Sequence, residues 1–283
     1  MSENENDKKM KGEINQNSIR VLYIEMYFND INLASGTAFF VNSSKGPVFI
    51  TNRHNLTGCH QETGKPLDTK NLAVPNNIRF RVLGSHEPFW YAFDLYKDDD
   101  FNEPIWIEHP QFGSSIDVAG ILISEISNAI HLFVNLEEDW HKWQVGDRVH
   151  VLGFPFGLND NFAIWSTGYI ASEPATDYKN LPSFLIDCRA RPGQSGSLVI
   201  ARFKPGDVVK YKDELYQAKT EMVHFIGIYS GRINKESDLG IVWKMDVLRD
   251  LVAAIESHDN LPEVQCAYHR LQIYFFRRRE LIG

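Results

Sequence analysis

The chain has 283 residues, 43% of them hydrophobic, and a formal net charge of −8. That length and apolar content can bury a large core, as one unit or as two small ones, which excludes a wholly disordered chain. The negative balance argues against nucleic acid as a partner, and no apolar run approaches the ~20 residues that a membrane span needs.

Residues 1–17 are polar and charged, carry no apolar stretch of the kind a signal peptide has, and read as disordered. A first β unit is assigned to 18–137. Its strands are predicted over 20–27, 35–41, 48–51, 78–83 and 116–123, where β-branched and aromatic residues recur between turn residues. Asn42-Ser43-Ser44-Lys45-Gly46 is the turn between the second and third of these. The stretch 87–110 reads as an edge strand and a loop whose Asp98-Asp99-Asp100 run faces solvent. A connector over 137–146 leads into a second unit, 138–257, with strands over 148–153, 162–171, 184–188, 197–201, 224–229 and 240–244. Between two of these strands lies a charged insertion, 203–221, read as a hairpin with strands over 208–211 and 214–216. Residues 245–257 place Val247, Leu248, Leu251, Val252 and Ile255 at the spacing of one helix face. The remainder, 258–283, is an extension with a strand over 270–276 and a solvated basic end, Arg277-Arg278-Arg279.

Three residues in this layout carry chemistry. His54 directly follows the strand ending at Thr51, Asp117 stands at the head of the apolar run Val118-Ala119-Gly120-Ile121-Leu122-Ile123, and Ser195 sits in Gly193-Gln194-Ser195-Gly196. Each alone has a plain reading, as a surface imidazole, a turn carboxylate and a glycine turn. Together they are the parts of a nucleophilic hydrolase: a hydroxyl, the base that takes its proton and the carboxylate that orients the base. Gly193 permits the sharp turn that brings the amides of Gly193 and Ser195 to one point, as an oxyanion hole requires. An α/β-hydrolase elbow needs Gly-x-Ser-x-Gly and places acid and base after the serine; here position 197 is Ser and both candidates precede it.

The segments Gly36-Thr-Ala-Phe-Phe-Val41, Ile50-Thr-Asn-Arg-His54, Asp117-Val-Ala119, Gly153-Phe-Pro-Phe-Gly157, Ser166-Thr-Gly-Tyr-Ile-Ala-Ser172, Arg191-Pro-Gly-Gln-Ser-Gly-Ser197, Gly227-Ile-Tyr-Ser-Gly231 and Gly240-Ile-Val-Trp-Lys244 follow in an order that resembles one family. The chain looks like a trypsin-like serine peptidase of the chymotrypsin fold, nearer to the intracellular, Deg-type (HtrA-like) peptidase domains, without a PDZ domain, than to digestive enzymes. The resemblance implies an all-β fold of two packed antiparallel β-barrels, with the active site in the cleft between them and a closing C-terminal helix. It implies His54 as general base, Asp117 as its orienting carboxylate, Ser195 as nucleophile, and a protein or peptide substrate held as an added strand along Tyr229-Ser230-Gly231. It also places Arg189, six residues before the serine, at the base of the specificity pocket, where it would reject Lys and Arg side chains; the other reading is that the guanidinium turns out to solvent and leaves a small apolar pocket.

Two departures from the family pattern stand out. Gln194 replaces the acidic residue through which digestive relatives mature, and Ser197 replaces a second glycine. No cofactor is needed. Cys59-His60 and Cys266-Ala-Tyr-His269 are too little for a metal site, and three scattered cysteines point to a reducing, cytoplasmic address. The insertion 203–221 and the extension 258–283 are where a control partner would bind. The competing function is a catalytically silent or latent fold of this kind that binds peptides or partners.

Overall fold

The computed structural model describes residues 14–84, 88–98, 100–123, 133–136, 142–158, 161–211, 214–234, 236–259, 261, 264 and 266–269. The first unit is an eight-stranded antiparallel sheet. Its strands are β1 (Val21–Phe28), β2 (Ile31–Ser43), β3 (Gly46–Thr51), β4 (Asn77–Leu83), β5 (Pro88–Asp94), β6 (Ile107–Glu108), β7 (Ala119–Leu122) and, from the far end of the chain, β16 (Ala267–His269). The spatial order is β16-β5-β4-β1-β2-β3-β7-β6. A flat sheet would hold β5 and β3 about 19 Å apart, four strand spacings. Yet the rings of Phe49 and Phe93 meet at 5.4 Å, and Phe80 touches both. The sheet is therefore rolled around these rings.

The second unit closes as a six-stranded barrel in the order β10-β15-β14-β11-β8-β9. Here β8 is Arg148–Gly153, β9 Ile164–Ile170, β10 Ser183–Cys188, β11 Leu198–Phe203, β14 Met222–Arg232 and β15 Leu239–Lys244. The insertion forms its own hairpin, β12 (Val208–Tyr211) with β13 (Glu214–Gln217). The helix α2 (Met245–Ser257) buries Val247, Leu248, Leu251, Val252 and Ile255, each worth roughly 1.5–3 kcal/mol of transfer free energy.

Period-two alternation explains how one strand serves two cores. Ala38 and Phe40 face the interior of the first unit, while Phe39 and Val41 join an apolar layer with Leu198, Ile200 and Leu248 that lies between the units. The cleft that holds the candidate site opens along this seam.

The elements depart from expectation at three places. Residues 14–17 are ordered: Gln16–Ile19 makes a 3-10 turn with Asn17 buried, and Ser18 accepts a hydrogen bond from the Trp165 indole at 2.9 Å. The strand expected over 116–123 begins only at Ala119, because the backbone at Asp117 is bound by a side chain: Asn52 Nδ2 donates to the Asp117 carbonyl at 2.6 Å. The edge strand of 87–110 is capped by β16, so it is an interior strand of the sheet. The expectations for 1–13, for a strand over 270–276 and for the basic cluster at 277–279 lie outside the described residues.

Candidate active site

β3 ends at Thr51 and hands the chain to the one-turn helix α1 (Arg53–Thr57), which carries His54. Gly58, at φ 64°, stops that helix by donating its N–H to the His54 carbonyl at 3.0 Å. His54 thus stands on the rim of the first unit. Its Nδ1 lies 2.6 Å from Asp117 Oδ2, and its backbone N–H donates to Asp117 Oδ1 at 2.9 Å.

Asp117 is 1% exposed. A carboxylate so placed requires hydrogen-bond donors to offset its desolvation. A further donor comes from the opposite unit, since the Ser230 hydroxyl reaches Asp117 Oδ2 at 2.5 Å. The β14–β15 ladder has a register shift between Tyr229 and Gly231. Such a bulge re-aims one side chain, and here it points Ser230 at Asp117.

Ser195 sits on the turn before β11; three side-chain and backbone bonds fix that turn to the first unit, and a fourth holds Thr37 in place within that unit. Thr37 N–H and Asn55 Nδ2 both donate to the Ser195 carbonyl, at 2.8 and 3.2 Å. Thr37 Oγ1 donates to the Gly193 carbonyl at 3.0 Å, and Thr51 Oγ1 to the Thr37 carbonyl at 2.8 Å. The buried Gln194 amide braces the turn from within. Its Oε1 accepts from Arg191 N–H at 2.8 Å, and its Nε2 donates to Ser166 Oγ at 2.9 Å.

The Pro192–Gly193 peptide decides whether two amides can meet an oxyanion. The Pro192 carbonyl accepts the Phe156 N–H at 2.6 Å. In a trans peptide the following N–H points the opposite way, so the Gly193 amide turns from the 154–157 turn toward the cleft. Gly193 holds φ 93°, and a Cβ there would stand 2.4 Å from the Phe154 carbonyl, so only glycine fits. Among the described residues, the N–H groups of Gly193 and Ser195 donate no hydrogen bond. The Gly153–Gly157 motif thus contributes by positioning that peptide.

A cleft of about 500 Å³ runs between the two units. His54, Asp117, Gly193, Ser195, Ser230 and Gly231 all line it, and an ion pair between Glu62 and Lys179 (2.9 Å) spans its walls. Among the described residues no hydrogen bond joins His54 Nε2 to Ser195 Oγ; such contacts often tighten only when substrate binds. The arrangement sets an oriented imidazole, a serine and two undonated amides along one cleft.

The model of the trypsin-like peptidase domain matches residues 36–209, more than half of the chain. The chain belongs to that family. It is a serine peptidase, a hydrolase. Comparison with curated protein sequences finds no match. Among solved structures this peptidase is similar to the active form of the Rv3671c protease from M. tuberculosis, at 17% identity and a TM-score of 0.47, covering 87% of this chain and 85% of that one. It is also similar to the serine endoprotease from Yersinia pestis, at 15% identity and a TM-score of 0.48, covering 84% of this chain and 63% of that one.

The structure brings together His54, Asp117, Gly193, Ser195, Ser230 and Gly231 of the residues singled out from sequence. It does not bring Arg189 into the cleft. That guanidinium is exposed, between buried Cys188 and Ala190, where it keeps its hydration. The Tyr229 side chain is also outside the lining, at 2% exposure, and both of its backbone groups are used by the serine turn: the carbonyl accepts Gly196 N–H at 3.0 Å and the N–H donates to Ser197 at 2.8 Å. Thr37, Asn55 and the Ser230 hydroxyl had no signal of their own in the sequence, although Thr37 lies within the 36–41 motif. No described helix is long and apolar enough to cross a membrane.

Proposed function

We propose that this peptidase is an endopeptidase that works through an acyl-enzyme, with His54 as general base, Asp117 as its orienting carboxylate and Ser195 as nucleophile. The observation that carries the reading is the doubly bonded His54–Asp117 pair beside a serine flanked by two undonated amides. His54 Nε2 takes the Ser195 proton as Oγ attacks the peptide carbonyl. The tetrahedral oxyanion rests on the Gly193 and Ser195 amides, an interaction worth roughly 3–4 kcal/mol per donor in comparable sites. His54 returns the proton to the leaving amine, and water then repeats the sequence on the ester. Ser230 and Gly231, past the last β11 partner of β14 at Ile228, offer an edge to which an extended substrate adds as a strand. We place the enzyme in the cytoplasm on the strength of its free thiols.

The test is labelling and loss. A fluorophosphonate probe should label the protein, and Ser195→Ala should abolish the label. Ser195→Ala or His54→Ala should lower turnover roughly 10⁴–10⁶-fold, and Asp117→Asn somewhat less, with the fold retained. A silent peptide-binding module is the second reading, favoured by the missing His54–Ser195 hydrogen bond; an unlabelled, folded wild-type protein would establish it.

A further inference from the structure

Side chains alternate along a strand, so the bulge that aims Ser230 at Asp117 sends Tyr229 the other way, into the second barrel. The ring is buried with Ile186, Cys188, Ala190 and Val242. It lies against Gly240 of β15: a Cβ there would stand 2.3 Å from Tyr229 Cε2 and 3.1 Å from the hydroxyl oxygen. Gly240 has no left-handed φ, so it is glycine for space and not for backbone freedom.

This inference rests on the endopeptidase reading and concerns what the enzyme cuts. With the acyl carbon at Ser195 Oγ, its oxygen on the two amides and the leaving amine at His54, the residue before the cut must project away from His54. It then enters the second barrel between the chain at 190–193 and the chain at 229–231. The cleft there is lined by Pro192, Gly193, Ser230, Gly231 and Ile241. It stops short of Ala190, Gly240 and Tyr229, because the tyrosine ring occupies the space behind. We infer that the Tyr229 ring fills the inner part of the specificity pocket and sets its depth, so that the enzyme cuts after small side chains and rejects aromatic, long aliphatic and basic ones. The described residues that line this end of the cleft, Pro192, Gly193, Ser230, Gly231 and Ile241, are uncharged. Arg191 and Asp238 beside it pair at 3.4 Å, and burial holds the phenol above its ordinary range, neutral.

The experiment compares kcat/KM on one peptide series that differs only in the residue before the scissile bond: Ala, Val, Leu, Phe, Lys and Glu. The wild-type enzyme should prefer Ala or Val over Phe and Lys by about a hundredfold. Tyr229→Ala should raise cleavage after Phe and Leu, relative to Ala, by about tenfold or more. Tyr229→Phe should keep the wild-type order. Should Tyr229→Ala not fold, Tyr229→Val gives the same comparison with less volume removed. A fluorophosphonate without such a side chain checks separately that the serine of wild type and of variant is reactive. Efficient wild-type cleavage after Phe or Lys, or a folded, labelled Tyr229 variant with the wild-type order, would overturn the inference. A wild-type protein that neither labels nor cleaves overturns the endopeptidase reading itself, and this inference with it.

Discussion

Asp117 shows how a single buried charge organises the residue scale. Its carboxylate meets His54 N–H, His54 Nδ1 and the Ser230 hydroxyl, one element from each unit converging on it. A hydrogen bond to a charged group is worth about 1.5–3 kcal/mol, a factor of about ten to a hundred when it holds the proposed general base in place. Ser230→Ala should therefore lower turnover by about ten- to hundredfold, less than Asp117→Asn, and lower the melting temperature by a few degrees, because the buried carboxylate loses one of its donors. Steady-state kinetics beside a thermal melt checks both halves, and unaltered kcat would remove Ser230 from the machinery. His54, Asp117, Gly193 and Ser195 were legible in sequence because each sits in a short segment with its own chemistry. Ser230 was legible only as a stretch of strand, since its hydroxyl bond spans 113 residues and exists only after both units fold. Arg189 was placed by counting back from the serine, and counting says nothing about which way a side chain turns.

At the scale of elements, the strands of the second unit and α2 were legible because their apolar residues repeat with a clear period. β6 and β16 were not, being two and three residues long. The joint between β6 and α2 makes a pH-dependent contribution. His109, just past β6, is 3% exposed, and its Nδ1 accepts the N–H groups of Gln111 and Phe112 at 3.2 and 3.3 Å. Nε2 then carries the proton and faces Asp250 of α2 at 3.5 Å. Burial lowers its pKa from the ordinary 6.5, against the opposing pull of Asp250. His150, in β8, is lowered too, by burial and by Arg148, Arg202 and Lys204. For a histidine whose pKa is lower when folded, the unfolded chain binds more protons. The stability is fully present above 6.5 and is lost as pH falls through that value toward the folded pKa. The melting temperature should thus fall on acidification from pH 7 to 5, and His109→Gln, which keeps an acceptor but does not titrate, should flatten part of that slope. An unchanged slope in the variant would assign the acid sensitivity elsewhere.

For the whole molecule, the apolar layer between the units joins the two walls of the cleft without a disulfide. Phe39, Leu198 and Leu248 are fully buried in it, so strands of both units and α2 share one core. Cys59, Cys188 and Cys266 are all free thiols. Burial pushes the Cys188 thiol up to about 11, helped by Asp187 and Asp238, and the Cys266 thiol up to about 12. The thiolate is the reactive form, so near neutral pH these two are almost wholly protonated and inert. Two consequences are measurable on the native protein. A thiol reductant should leave the melting temperature within about a degree, whereas loss of a structural disulfide typically removes about 2–5 kcal/mol. Brief alkylation at neutral pH, read by intact mass, should leave Cys188 and Cys266 unmodified until the protein is unfolded. A fall of many degrees on reduction, or rapid native alkylation at Cys188, would mean that packing alone does not hold the second barrel around its core.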